Sequence, residues 1–405
     1  MARLRRRSCL LLAVVVAALL SAGFGLLGSS ARAQETCSGM VPAPPRRGAR
    51  VSLASSGGVG DGRTLNTAAF ARAVASIERL RAPGGAELYV PPGDTSSWPL
   101  MEPLPSYGRG RELPGGRYIS LIHGNGLKDV GTLPFTSPHL LELMSSSDII
   151  VSNVVFQDSP LWNIHPVYCS NVVIRNLTIL APHDSPYTDG VDPDSCSNVC
   201  IEDCYISTGD DAIAIKSGWD EYGIAYGRPS SNIIVRRITS STPFAGFAIG
   251  SETSGGVENI LAEHLNFFSS GVGINIKTNV GRGGFIRNVA VTDITLENVR
   301  YGLSIAGDVG GHPDEHYNQT ALLVVDFITI KNIQGQNIKQ AGLIKGIVNS
   351  SFSRICLSNI TLSGDSARIR PWICEAASGS AIQVQPFPCS ELSSTPGTSV
   401  CTGSL

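Results

Sequence analysis

Eight segments of this chain repeat one another, and that repetition restricts the fold more than any other feature. Asp148-Ile-Ile-Val-Ser-Asn-Val-Val-Phe is followed by Asn171-Val-Val-Ile-Arg-Asn-Leu-Thr-Ile and Asn198-Val-Cys-Ile-Glu-Asp-Cys-Tyr-Ile, then by related segments beginning at Asn232, Asn259, Asn288, Phe327 and Arg354. The successive offsets are 23, 27, 34, 27, 29, 39 and 27 residues. A unit of this length cannot bury its apolar face alone, so repetition at such a period is the signature of a solenoid. Within each unit β-branched residues alternate at the period of a strand. A second apolar strand follows in several units, at Ala212 to Ile215, Phe247 to Ile249, Val272 to Ile276 and Leu303 to Ile305. Short strands without an intervening helix predict an all-β fold, a right-handed parallel β-helix, which is a single-stranded solenoid. The Asn that heads most units is placed to stack on its counterpart in the next coil.

Before the repeat the chain has a different character. Arg3 to Arg7 are basic, Cys9 to Leu27 are apolar, and Ala31-Arg32-Ala33 offers a small-residue cleavage site, which predicts a signal peptide over 1–33 and secretion to the cell wall. An uncleaved signal anchor at the membrane is the alternative, because the apolar run is long enough to span. A Pro/Arg-rich linker over 34–50 then leads into a β-helix domain over 51–405. Within it, Phe70, Val74, Ile77 and Leu80 share one face of a helix over 66–82 that is expected to cap the open N-terminal end of the solenoid. The Pro-, Gly- and Ser-rich stretch from Asp94 to Pro138 reads as loop.

Charge narrows the partners. The chain carries 31 Lys and Arg against 33 Asp and Glu, and the five Arg of the signal leave 31 − 5 = 26, so the processed chain sits near 26 − 33 = −7. Nucleic acid is excluded on that ground, since phosphate binding needs a basic surface. No membrane partner is expected, and the chain is read as a monomer. Nine Cys remain after the signal, which predicts several disulfides and one odd thiol. Cys200 and Cys204 lie ~13 Å apart along a strand and cannot bridge each other. No His stands at ligand spacing beside them, so a zinc site is not expected there. Asn176, Asn318, Asn349 and Asn359 head glycosylation tripeptides.

The solenoid also implies a site. Equivalent positions on successive coils lie ~4.8 Å apart. Aligning the second strands sets Val191 beside Ile213, and therefore Asp189 beside Asp211 with Asp210 adjacent. Ile276-Lys277-Thr278 falls on the position of Ile215-Lys216-Ser217 two coils on, which adds a lysine to three carboxylates. Carboxyls held this close cannot all ionise freely, so one acts as a general acid while its neighbours stay anionic, the equipment for glycosidic hydrolysis. A long groove suits a polymer. The competing reading is a Ca²⁺ site, since hard cations take carboxylate oxygens; the preferred reading needs neither metal nor cofactor.

Several stretches carry a family resemblance: Gly60-Asp-Gly-Arg-Thr-Leu-Asn-Thr, Leu104-Pro-Ser-Tyr-Gly-Arg-Gly-Arg, Ile164-His-Pro-Val-Tyr-Cys-Ser-Asn, Thr188 to Asp194, Gly209-Asp-Asp-Ala-Ile-Ala-Ile-Lys-Ser-Gly, Ile249-Gly-Ser-Glu and Gly273-Ile-Asn-Ile-Lys-Thr. Over most of its length the chain resembles the plant-type polygalacturonases of glycoside hydrolase family 28. The resemblance implies a pectin hydrolase acting on 1,4-linked galacturonan by acid/base catalysis with inversion. It also implies Asp210 as proton donor, Asp189 and Asp211 as the water-activating pair, and substrate contacts at Asn275 and Lys277.

The chain departs from that family at defined places. Tyr187 replaces the Asn of Asn-Thr-Asp, Phe244-Ala245-Gly246 replaces Gly-His-Gly, and Asn275-Ile-Lys277 replaces Arg-Ile-Lys. About one coil each is missing between Gly93 and Ser96 and between Val130 and Gly131. Two other functions follow if these changes dominate the chemistry. One is a wall-located pectin-binding or structural protein weakened in catalysis; the other is a calcium-dependent pectate lyase.

Overall fold

The computed structural model describes residues 37, 47–61, 64, 66–80, 82, 85–91, 118–121, 139–365 and 368–392. The signal segment, both shortened junctions and the Leu104 motif lie outside these residues. Val41–Leu405 forms one compact unit; of the other unit, Met1–Met40, only Cys37 is described. Among the described residues no helix is long and apolar enough to cross a membrane.

The repeats stack in register as a parallel β-helix. The principal sheet runs through Ser147–Ser152, Ser170–Arg175, Ser197–Ser207, Ser230–Ser241, Val257–Phe268, Phe285–Glu297, Val324–Gln336, Phe352–Leu362 and Ala377–Gln385, each strand parallel to the next. Val172, Val199, Ile233, Ile260, Val289, Ile328 and Ile355 therefore form one continuous buried ladder. The second strands form another parallel sheet through Ala214–Ile215, Ala245–Ile249, Val272–Lys277, Tyr301–Ala306, Gln340–Lys345 and Ile373–Glu375. Ile215, Ile249, Ile276, Ile305 and Ile344 are its core ladder.

Asparagine sets the corners. The unit heads Asp148, Asn171, Asn198, Asn232, Asn259 and Asn288 all have φ between 54° and 57° or close to it, at 58° for Asn259, in the left-handed region that Asn tolerates best after Gly. Each Asn amide donates to the preceding head, at 3.0 Å for Asn171 to Asp148 and 3.1 to 3.2 Å for the four that follow. The bend thus costs little and satisfies a side chain that would otherwise be unpaired. Phe327 and Arg354 take the same left-handed corner without an amide. There the Arg354 guanidinium lies 3.9 Å over the Phe327 ring instead.

The N-terminal helix spans Thr67–Arg79. Ala69, Phe70 and Ala73 are its buried face, packed with Leu53, Val51, Leu88 and Val90 against the parallel pair Ala49–Ser52 and Ala86–Tyr89. Leu80, expected on that face, lies past the helix end and is exposed. The stripe is centred on small residues, which lets the helix approach the two strands closely.

The cysteines leave more free thiols than expected. Cys374 is bridged to Cys389, and Cys200 and Cys356 are disulfide-bonded as well. Among the described residues Cys169, Cys196 and Cys204 are free and buried, three thiols rather than one. Cys169 and Cys196 occupy one position on adjacent coils, and their thiols donate to the Leu143 and Pro166 carbonyls, both at 3.2 Å. They behave as small core residues.

Candidate active site

The site forms where two turns meet ahead of the second strand. A Cβ on Gly190 would stand 2.4 Å from the Ala212 carbonyl oxygen, and one on Gly209 would stand 2.0 Å from that of Ser185. Glycine beside each acidic residue is thus what allows backbone to approach backbone here. Thr188 ties the turns together: its hydroxyl accepts the Gly209 N–H at 2.9 Å and donates to the Ser185 carbonyl at 3.0 Å. The Gly190 and Val191 amides donate to the carbonyls of Asp211 and Ala212 at 2.9 and 3.1 Å. Val191 accordingly bridges Ile164 on one side and Ile213 on the other.

That register brings Asp189, Asp210 and Asp211 together, with one carboxylate oxygen of each within 4.8 Å of the others. Asp189 and Asp211 are buried and Asp210 is partly buried. Asp211 Oδ1 accepts the Ala245 N–H at 2.9 Å, and its Oδ2 meets Lys277 Nζ at 2.5 Å. Asp210 Oδ1 accepts the Asp211 N–H at 2.8 Å. Burial, then the charges of Asp192 and Asp210, hold the Asp189 carboxyl well above the usual range. Burial and Asp211 raise Asp210 in the same direction. The cluster therefore keeps a proton at a pH where an ordinary carboxyl has lost it, beside a carboxylate that Lys277 keeps paired. The lysine also occupies an oxygen that a hard cation at the cluster would require.

Lys277 and Asn275 lie two residues apart on one strand, both partly exposed, while Ile274 and Ile276 point into the core. At the Gly-His-Gly position Ala245 is buried and supplies its backbone amide to Asp211. Tyr187 is 54% exposed, at the rim of the turn.

A further charged group adjoins the cluster without having been assigned from sequence. Lys216 is buried, 3.1 Å from Glu252 Oε2, with its ammonium 4.5 Å over the Trp162 ring. Burial works to lower its pKa, but Glu252, Asp192, Asp189 and Asp211 outweigh it and hold the ammonium well above its ordinary value. Against burial, Lys216 brings Glu252 down to about 2. Asp192 is fully buried, neither of its oxygens meets a donor among the described residues, and burial pushes it up to about 8 against the pull of Lys216. Each of these residues stood in a matched motif, and Lys216 was visible as the counterpart of Lys277. Their pairing depends on Glu252, which follows the strand in an irregular turn.

Residues 123–381 match the sequence profile described as "Glycosyl hydrolases family 28". A "Probable polygalacturonase" of Vitis vinifera is 42% identical over 392 residues, covering 84% of this chain and 80% of that protein. Another, from Arabidopsis thaliana, is 32% identical over 299 residues, covering 65% of this chain and 60% of its own length. Among solved structures, an exopolygalacturonase from Thermotoga maritima aligns with a TM-score of 0.61 at 24% identity, over 85% of this chain and 94% of that one. An endo-xylogalacturonan hydrolase from Aspergillus tubingensis aligns with a TM-score of 0.56 at 19% identity, over 85% and 98%. At these identities the two structures establish the shared fold.

Proposed function

The chain belongs to the glycosyl hydrolases of family 28, and on that premise we propose that it hydrolyses the glycosidic bonds of 1,4-linked galacturonan in the cell wall. The observation that carries the reading is the convergence of Asp189, Asp210 and Asp211 within 4.8 Å, with Lys277 paired to Asp211. Asp210 is the most accessible of the three carboxyls and its pKa is raised, which suits it to protonate the leaving oxygen. Asp189 and Asp211 together activate the attacking water, Asp211, paired with Lys277, taking its proton and Asp189, whose carboxyl burial holds high, orienting it by a hydrogen bond. Lys277 and Asn275 line the same wall and contact the sugar carboxylate. The basic and apolar leader of the sequence supports secretion.

Release of reducing ends from polygalacturonate by the purified protein tests the reading. Binding without new reducing ends would replace it with a wall-binding role. An unsaturated, ultraviolet-absorbing product that requires calcium would replace it with a lyase. The stereochemistry is open to a direct measurement. Inverting carboxyl pairs usually stand ~6.5–9.5 Å apart to admit a water, and the oxygens here approach more closely. Inversion is still expected, as the family resemblance implies. NMR of the first-formed anomer decides the point, and a retained anomer rejects single displacement.

A further inference from the structure

A second set of ligand atoms converges beside Trp162, whose ring also carries the Lys216 ammonium. Glu142 lies in the strand Leu141–Met144 and pairs in register with His165 of Ile164–Val167 on the next coil. His139 stands three residues before Glu142 and turns back toward both. His139 Nδ1 and His165 Nδ1 are 2.8 Å apart, and Glu142 Oε1 is 3.9 Å from the first and 3.7 Å from the second. A tetrahedral ion bound at ~2.0–2.1 Å needs ligand atoms ~3.3–3.4 Å from one another, a value these three separations bracket.

The surroundings hold the rings in place. Trp162 stacks on His139 at 4.9 Å and 13°, and it meets His165 edge-on at 4.8 Å and 88°. The outer ring nitrogen of His165, Nε2, is buried without a hydrogen-bond partner among the described residues. Asp194 Oδ2 faces it at 4.0 Å, outside hydrogen-bond reach but on the side from which a carboxylate could orient a metal-bound imidazole. The His139 and Glu142 side chains remain 16% and 35% exposed, which leaves an ion a route from solvent.

We infer that His139, Glu142 and His165 form a binding site for one divalent transition-metal ion of the zinc class. Two imidazoles and one carboxylate are the donors such an ion selects, with a fourth position left to solvent. Calcium, which takes six to eight oxygens, is poorly served. The ion ties two successive coils together, because Glu142 and His165 belong to adjacent rungs.

The test uses untagged full chain, stripped with chelator, desalted, and titrated with Co²⁺ and Zn²⁺ in the absence of substrate. One equivalent of Co²⁺ should give the visible absorption of a tetrahedral site, and Zn²⁺ should displace it and raise the melting temperature. Glu142→Gln, which keeps size and shape, and His139→Ala should each weaken binding at least ~10-fold. Asp210→Asn should leave it unchanged, since the catalytic-type carboxylates take no part. Absence of saturable binding overturns the inference. Binding that survives in the His139→Ala, Glu142→Gln double variant, or that is lost in Asp210→Asn, overturns it equally. No outcome of this titration depends on polygalacturonate turnover, so the site and the proposed hydrolase activity fail or stand separately.

Discussion

Replacing Lys277 by Ala separates two roles that the sequence alone runs together. If the lysine only grips the anionic sugar, Lys277→Ala raises KM on polygalacturonate and leaves an esterified pectin untouched. The structure adds a second role, because Lys277 Nζ lies 2.5 Å from Asp211 Oδ2, with the Asp211 side chain 1% exposed and that of Lys277 17%. Without the ammonium, Asp211 keeps the Ala245 N–H on its other oxygen and loses its compensating charge. Hydrogen bonds to charged groups contribute ~1.5–3 kcal/mol, and breaking a buried ion pair costs ~3–5 kcal/mol. Taking the lower range for a partly exposed lysine, kcat should fall about 10- to 100-fold.

The pH profile carries the same information with a definite sign. Lys277 is among the charges that pull the Asp210 carboxyl down, and an acid must be protonated to work, so without the cation the alkaline limb of kcat should move to higher pH. The assay is release of reducing ends against pH, on polygalacturonate and on an esterified pectin that the parent enzyme turns over. A fall in kcat on both substrates supports the pairing role. A change confined to KM on polygalacturonate refutes it, and unchanged turnover on both refutes the wall itself.

Three other substitutions probe the remaining parts. Asp210→Asn keeps the shape but has no proton to give, so hydrolysis should drop ~10²-fold or more with the thermal melt unchanged; half the parent rate would exclude Asp210 as the acid. Asn275→Arg adds a planar fork beside Lys277 and should raise kcat/KM on polygalacturonate ~10-fold, while an equal gain on esterified pectin would contradict a carboxylate contact. Asp192 is raised from 3.8 to about 8 by burial, so the stability linked to its proton is present below pH ~4 and is lost as pH rises toward 8. Asp192→Asn should flatten that dependence by on the order of a few kcal/mol, read as urea midpoints from pH 4 to 8; parallel pH curves for parent and variant would show that Asp192 does not titrate this way.

The coils were legible because two independent signals agreed on their register. Apolar alternation placed Val199, Ile233 and Ile260 inside, and the Asn expected to stack from coil to coil stands just before each of them, where the structure adds a left-handed corner. The bends five residues further on repeat the signal in six of the eight coils. Asn153, Asn176, Asn332 and Asn359 occupy them together with Asp203 and Asp293, while Arg237 and His264 take the same bend without it, all with φ between 52° and 60°. Stacking on the neighbouring coil holds Arg237 in a conformation that its own preferences do not favour. Cysteine pairing was illegible for a related reason, since counting thiols says nothing about which of them the core will absorb.

At the site, legibility followed the strands and stopped where they did. Asp189, Asp211 and Lys277 could be brought together because Val191, Ile213 and Ile276 fix their register through the core. Glu252 could not be matched to Lys216, because it sits beyond Gly250 in a turn whose path no periodicity describes. His139 precedes the first repeat and offered no register at all. The same reasoning assigns meaning to the departures. A one-residue slip of Val272–Lys277 would drive Asn275 and Lys277 inward and bring Ile274 and Ile276 out, a change the core ladder forbids. Asn275 therefore stands at its position as a chemical substitution in an intact register, and any loss of substrate grip there is a loss of one guanidinium rather than of the wall that would carry it.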